Sequence, residues 1–194
     1  MKKFLTFIIL LNFFFNNANS IEPDVFVQYT VNEASEILSK NISKEEKISG
    51  LKRIAKENVD IKGVGYYSLG SNRKKLNDNQ KKTYFDLFEN YFLKSFSSRL
   101  SEYTNPKIEV KGKKILNKNY TIVNSMLIGT TDRPEVKIDW RIYTKNPNEP
   151  LIRDLIIEGL SLARTQKEEF ASILNSNDGD INALFKTLEE FTKN

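Results

Sequence analysis

Between Lys107 and Glu158 several segments of this chain alternate in the manner of strands, while on either side the apolar residues recur at steps of three and four. Alternation puts one face of an extended strand against a core and leaves the other to water. Lys107 to Val110 alternates. In a longer strand Tyr120, Ile122, Met126 and Ile128 share one face, with Thr121, Val123, Ser125 and Leu127 on the other. After the turn Thr131-Asp132-Arg133-Pro134, Val136, Ile138, Trp140 and Ile142 alternate with Lys137, Asp139, Arg141 and Tyr143. A second turn, Asn146 to Pro150, leads to a strand from Leu151 to Glu158 that Gly159 ends. Connections this short join antiparallel neighbours.

The flanks are helical. Pro23 opens a segment reaching Ser39, with Val27, Val31, Ala34, Ile37 and Leu38 on one stripe. Ser43 and Glu46 stand as the two halves of a capping box, and Ile48, Leu51, Ile54 and Ala55 follow. Asp78 to Tyr103 is the strongest helical pattern: Phe85, Phe88, Phe92, Phe96, Leu100 and Tyr103 recur at helical steps, widened by Tyr84 and Tyr91. Leu162 to Leu174 is a further helix, and Asp180 caps a last one carrying Ile181, Leu184, Phe185, Leu188 and Phe191. Helices, then an antiparallel meander, then helices make an α+β fold.

Asp60 to Gly70 holds three glycines. Their spacing matches neither nucleotide-binding loop, so the segment reads as a short helix with Asp60 as its cap and Gly70 as a left-handed C-terminal cap. Its glycines also raise a mobile hinge over Gly63 to Gly70 as an expectation.

Met1 to Ser20 reads as a secretory signal peptide: Lys2 and Lys3, an apolar run from Phe4 to Phe15, and Ala18-Asn19-Ser20 before the cut. The run is too short to span a bilayer. This leaves residues 21–194 as a single domain. Setting aside Lys2 and Lys3, 28 basic side chains face 25 acidic ones, which gives no clustered basic face for nucleic acid. The chain has no Cys and no His, which removes thiol nucleophiles, thiolate or imidazole metal sites and the Ser-His-Asp triad. Carboxylate pairs are what remain for acid–base chemistry. Asp139, Asp154 and Glu158 sit on adjacent predicted strands and could serve a hydrolase. They could equally be solvent-facing positions pairing with Arg141 and Arg153. A closed structural module of the cell envelope is a third alternative.

Several of these pieces occur together in one known family. Val59-Asp60-Ile61 and Leu69-Gly70 are followed by Gln80 and Phe85-Asp86-Leu87-Phe88, then by Val136 to Ile142, and finally by Asp154-Leu155-Ile156-Ile157-Glu158-Gly159-Leu160-Ser161-Leu162. From about Asn58 to Phe191 the chain resembles the MlaC (toluene-tolerance) family of periplasmic phospholipid-binding proteins. Two stretches depart. Pro150 and Leu151 stand where the family usually has Trp, and Thr165-Gln166-Lys167 replaces its Asn-Tyr-Arg. A group associated with hopanoid synthesis shares much of the pattern.

The resemblance implies a curved antiparallel sheet wrapped by helices, with an apolar lipid cavity between them. It implies a periplasmic carrier of glycerophospholipid that maintains outer-membrane lipid asymmetry. The implied partners are an inner-membrane ABC transporter with an MCE-domain subunit and an outer-membrane lipoprotein–porin complex. No cofactor and no catalyst is called for. Two acyl tails hold on the order of 30 methylenes, so exposing them to water costs roughly 25 kcal/mol, and a carrier must supply a dry apolar space. We expect that space to be walled by Tyr66 and Leu69 of the glycine-bearing helix and by Phe88, Phe92 and Phe96 of the aromatic helix. Met126, Ile128, Ile138, Trp140, Ile142, Leu155 and Ile157 would close it from the sheet. For each of these the plainer alternative is ordinary core.

Overall fold

The computed structural model describes residues 20–131 and 133–193. The signal-peptide reading of the leader therefore falls almost entirely outside the described residues, as does Asp132 of the expected turn. Helix α1 (Pro23–Ser39) is followed by α2 (Lys44–Asn58), α3 (Ile61–Leu69), a 3-10 turn (Gly70–Lys74) and the long α4 (Asp78–Leu100). Five strands come next: β1 (Ile108–Asn117), β2 (Tyr120–Leu127), β3 (Val136–Tyr143), β4 (Leu151–Ile157) and β5 (Leu160–Ser161). Helices α5 (Leu162–Asn175) and α6 (Ile181–Lys193) close the described chain. The strands pair in sequence order, every neighbour antiparallel, as an open, curved sheet. This is the expected α+β architecture.

Local chemistry explains the helix starts. The Ser43–Glu46 capping box forms in full, with Ser43 Oγ accepting from the Glu46 N–H at 3.1 Å. A second box, Asn77 with Gln80, opens α4 and was equally readable in the sequence. Asp60 caps α3 by accepting from the Gly63 N–H at 2.8 Å, and Asp180 accepts from the Asn182 N–H at the start of α6.

Three expectations need correction. Gly70 does end α3 with positive φ (56°), but its ψ of −129° lies far from the left-handed helical cap, and the chain runs on into the 3-10 turn. Strand β1 extends seven residues beyond Val110, through a lysine-rich stretch that shows no alternation. It is an edge strand with two irregularities in its pairing, and its outer half is exposed on both faces. Glu158 is not on β4. It has φ 49° and Gly159 has φ 84°, so the pair forms the two-residue turn between β4 and β5.

Register fixes which side of the sheet faces inward. Val123 lies opposite Trp140, and Trp140 opposite Leu155; Ser125 lies opposite Ile138, and Ile138 opposite Ile157. This inner face packs beneath α1, where Phe26, Val27 and Val31 meet Val123, Ile138, Trp140, Ile142 and Ile152. A second cluster lies wholly among helices, with Val64, Leu69, Tyr84, Phe88, Phe170, Leu174, Leu184 and Leu188 from α3 to α6. Half-buried Val59 packs against both. Its backbone pairs with Ile152 and the Asp60 N–H donates to the Ile152 carbonyl, which pins the start of α3 to β4.

Candidate functional site

The sheet's inner face and the aromatic helix do not fill one another. Helix α4 packs against α2, α3 and α6, while α1 covers β1 and β2, and α3 and α5 reach β4. Beyond α1 the inner face carries half-buried Leu127, Val136 and Leu155 at the margin of the sheet cluster. On α4, the Phe92 and Phe96 rings stack at 5.9 Å and 7°, and both are half-buried. Among the described residues, Phe96 and Ile157 are half-buried but pack against neither cluster. The segment after α4 is tied back to the β2–β3 connection, where the Arg133 guanidinium lies 5.2 Å over the Tyr103 ring. That tie brings the end of α4 to the β2–β3 connection, next to the strand ends that carry Leu127 and Val136.

Trp140 is fixed within the inner face. Its indole N–H donates to Ser125 Oγ at 2.8 Å, and that hydroxyl donates to the Ile138 carbonyl at 3.0 Å. Ser125 is buried on the inward side, a position that alternation alone leaves open.

The expected cavity residues divide. Ile138, Trp140, Ile142, Leu155 and Ile157 do share the inner face. Leu69 and Phe88 are 2% and 1% exposed inside the helical cluster and pack as core. Tyr66 is turned away. It meets Phe85 edge-on at 4.5 Å and lines a separate surface cleft of about 400 Å³ with Lys62 and Lys81. Met126 lies opposite Lys137, on the outer face, because the inward set on β2 is Thr121, Val123 and Ser125. Ile128 falls beyond the end of β2, where its N–H donates to the Lys107 carbonyl.

Two glycines of the segment expected to act as a hinge, Gly63 and Gly65, are close-approach positions. A Cβ on Gly65 would stand 2.8 Å from Phe88 Cδ1, and one on Gly63 would overlap the Arg153 guanidinium. The Tyr84 hydroxyl donates to the Gly65 carbonyl at 3.0 Å. Burial pushes the Tyr84 phenol far above its ordinary range, and Tyr91 shifts the same way, again chiefly through burial.

The carboxylates are occupied structurally. Asp154 accepts from Ser161 Oγ at 2.6 Å and from the Ala163 N–H at 3.0 Å, which locks the start of α5 onto β4. Asp139 accepts from the Asn124 amide at 2.8 Å and pairs with Lys137. Glu158 accepts from the Lys137 backbone N–H in its turn. Arg141 stands 3.7 Å from Asp154 as alternation suggested, whereas Arg153 pairs with Asp60. Among the described residues no cluster of three or more Asp or Glu could hold a metal ion, and no helix is long and apolar enough to cross a membrane.

The molecule is thus an α+β protein whose open sheet packs its apolar inner face beneath α1, beside a second apolar cluster held among the helices. Residues 28–190 match the family model described as MlaC protein, and the chain belongs to the MlaC family. Among solved structures it is similar to the phospholipid-binding protein from Ralstonia solanacearum in complex with a phospholipid. The TM-score is 0.74 at 18% identity, over 89% of this chain and 98% of that one. No curated protein matches the chain.

Proposed function

We propose that this chain is a periplasmic phospholipid carrier that moves single lipids between the outer and inner membranes and thereby maintains outer-membrane asymmetry. The observation that carries the reading is the half-buried apolar surface of Phe92 and Phe96 on α4 and of Leu127, Leu155 and Ile157 on the sheet's inner face, which in this reading wall one acyl-tail gap. Acyl tails lying there would bury methylenes worth about 0.8 kcal/mol each, and the polar head needs no more than the rim. Membership of the MlaC family supports the reading, as does the likeness to a protein that binds phospholipid. The leader of residues 1–20 would deliver the chain to the periplasm. An inner-membrane ABC transporter with an MCE-domain subunit and an outer-membrane lipoprotein–porin complex would exchange lipid with it. No bond is made or broken in this role, in keeping with carboxylates that serve helix starts and turns.

Native mass spectrometry of protein purified without detergent from a Gram-negative periplasm tests the proposal. The expected result is an adduct of one diacyl phospholipid, released on denaturation. A clean apo mass that liposomes leave unchanged would overturn it.

A further inference from the structure

On the sheet's outer face lies a second cleft of about 320 Å³. Arg141, Arg153, Asp154, Tyr120, Tyr67 and Leu116 are among the residues that line it. Trp140 and Arg141 are consecutive on β3, so one side chain points into the sheet cluster and the other into this cleft.

The two guanidinium groups differ in what they have left to give. Arg153 is held on three sides: its Nε and Nη2 meet Asp60, its Nη1 donates to the Tyr120 hydroxyl at 3.3 Å, and its plane lies 4.5 Å over the Tyr143 ring. Arg141 has its nearest carboxylate at 3.7 Å, beyond hydrogen-bond reach. Both oxygens of that carboxylate already accept, one from Ser161 and one from Ala163. Among the described residues the Arg141 guanidinium donates no hydrogen bond, so its planar fork of donors, paired with Asp154 only at 3.7 Å, stands open to the cleft. Tyr120, which accepts from Arg153, keeps its own O–H to donate. Lys167 lies 5.4 Å over the ring of the lining residue Tyr67, and the two guanidinium groups meet two carboxylates that are themselves engaged. The fork and the hydroxyl suit an oxyanion with several oxygens. Leu116 and Tyr67, 46% and 41% exposed, supply an apolar wall beside it.

The geometry points to a second binding site in this cleft, for a phosphate-bearing head, with Arg141 as the phosphate ligand and Leu116 and Tyr67 against the stem that carries it. It lies on the opposite face of the sheet from Trp140 and stands independently of the carrier reading.

Two reporters on adjacent residues separate the two sites. The Arg141 Nε–H resonance reads the outer cleft, and the fluorescence of Trp140, the chain's one tryptophan, reads the inner face. The probes are dihexanoyl phosphatidylglycerol and inorganic phosphate, each at about 10 mM, where even a millimolar site is mostly filled. The expected result is a saturable shift of Arg141 that Arg141→Gln abolishes. Arg141→Lys, which keeps the charge but loses the fork, should weaken binding about tenfold or more. If phosphatidylglycerol binds more tightly than phosphate and Leu116→Ser removes the difference, the occupant is a lipid head. Equal binding, indifferent to Leu116→Ser, supports the site with free phosphate as its source. No shift of Arg141 with either probe, in wild-type protein of unchanged circular dichroism, would overturn the site whatever Trp140 reports.

Discussion

At single residues the fold depends on close approaches that composition does not announce. Gly65 is the clearest. With Phe88 Cδ1 2.8 Å from where a Cβ would sit, and that ring wedged among Tyr84, Phe92 and Phe170, neither side can yield cheaply. Gly65→Ala should cost about 1–3 kcal/mol in urea unfolding. Gly112, whose Cβ would meet nothing within 4 Å, should accept Ala with no loss. Equal tolerance at both positions would refute the packing account. Tyr84 gives the second prediction. Its phenol is buried, so the native state holds the proton that the unfolded chain releases near pH 10. Its contribution is fully present below pH 10, and above it stability should fall by about 1.4 kcal/mol per pH unit. Tyr84→Phe should cost about 1 kcal/mol at neutral pH through the lost bond to the Gly65 carbonyl, and should flatten the alkaline fall. Guanidinium melts at pH 7, 9 and 11 test both effects.

At the scale of elements, much was legible where the signal is local. The Ser43 box, the Asp60 cap and the alternation of β3 each rest on neighbours a few residues apart, and all three form. What was not legible depends on a distant partner. Alternation divides β2 into two faces but cannot say which turns inward; only pairing with Trp140 and cover by α1 decide it, and they put Met126 outside, contrary to the expected cavity wall. The pattern Asp154 to Ser161 looked like paired carboxylates because sequence cannot show that Asp154 reaches forward to Ser161 and Ala163. It joins β4 to α5 across the β5 turn, even though Pro150–Leu151 and Thr165 to Lys167 depart from the family pattern there. Asp154→Ala leaves the Ala163 N–H without its acceptor and should cost about 2–3 kcal/mol in thermal unfolding, whereas Asp154→Asn, which can still accept, should cost about half as much. A hydrolytic Asp154 would show the reverse, with stability kept and turnover lost in both variants.

For the molecule as a whole, the two hydrophobic clusters touch through Val59 while Phe96 and Ile157 pack against neither. An ordinary core of this size closes such gaps, because each unfilled apolar surface forfeits contacts that folding would otherwise gain. In the carrier reading, a gap kept between Phe96 and Ile157 is a sacrifice of apo stability that a ligand would restore, since binding to the native state alone stabilises it by mass action. The two roles of Phe96 and Ile157 give opposite outcomes. If they wall a lipid space, Phe96→Ser with Ile157→Ser should leave the urea midpoint of delipidated protein close to wild type, or raise it, while co-purified phospholipid falls tenfold or more. If they are core, the pair should lose several kcal/mol in the delipidated protein, as buried large-to-small changes do. Added phospholipid should raise the melting temperature of wild type and leave that of the double variant unmoved. A variant stabilised as much as wild type would place the lipid elsewhere on the molecule.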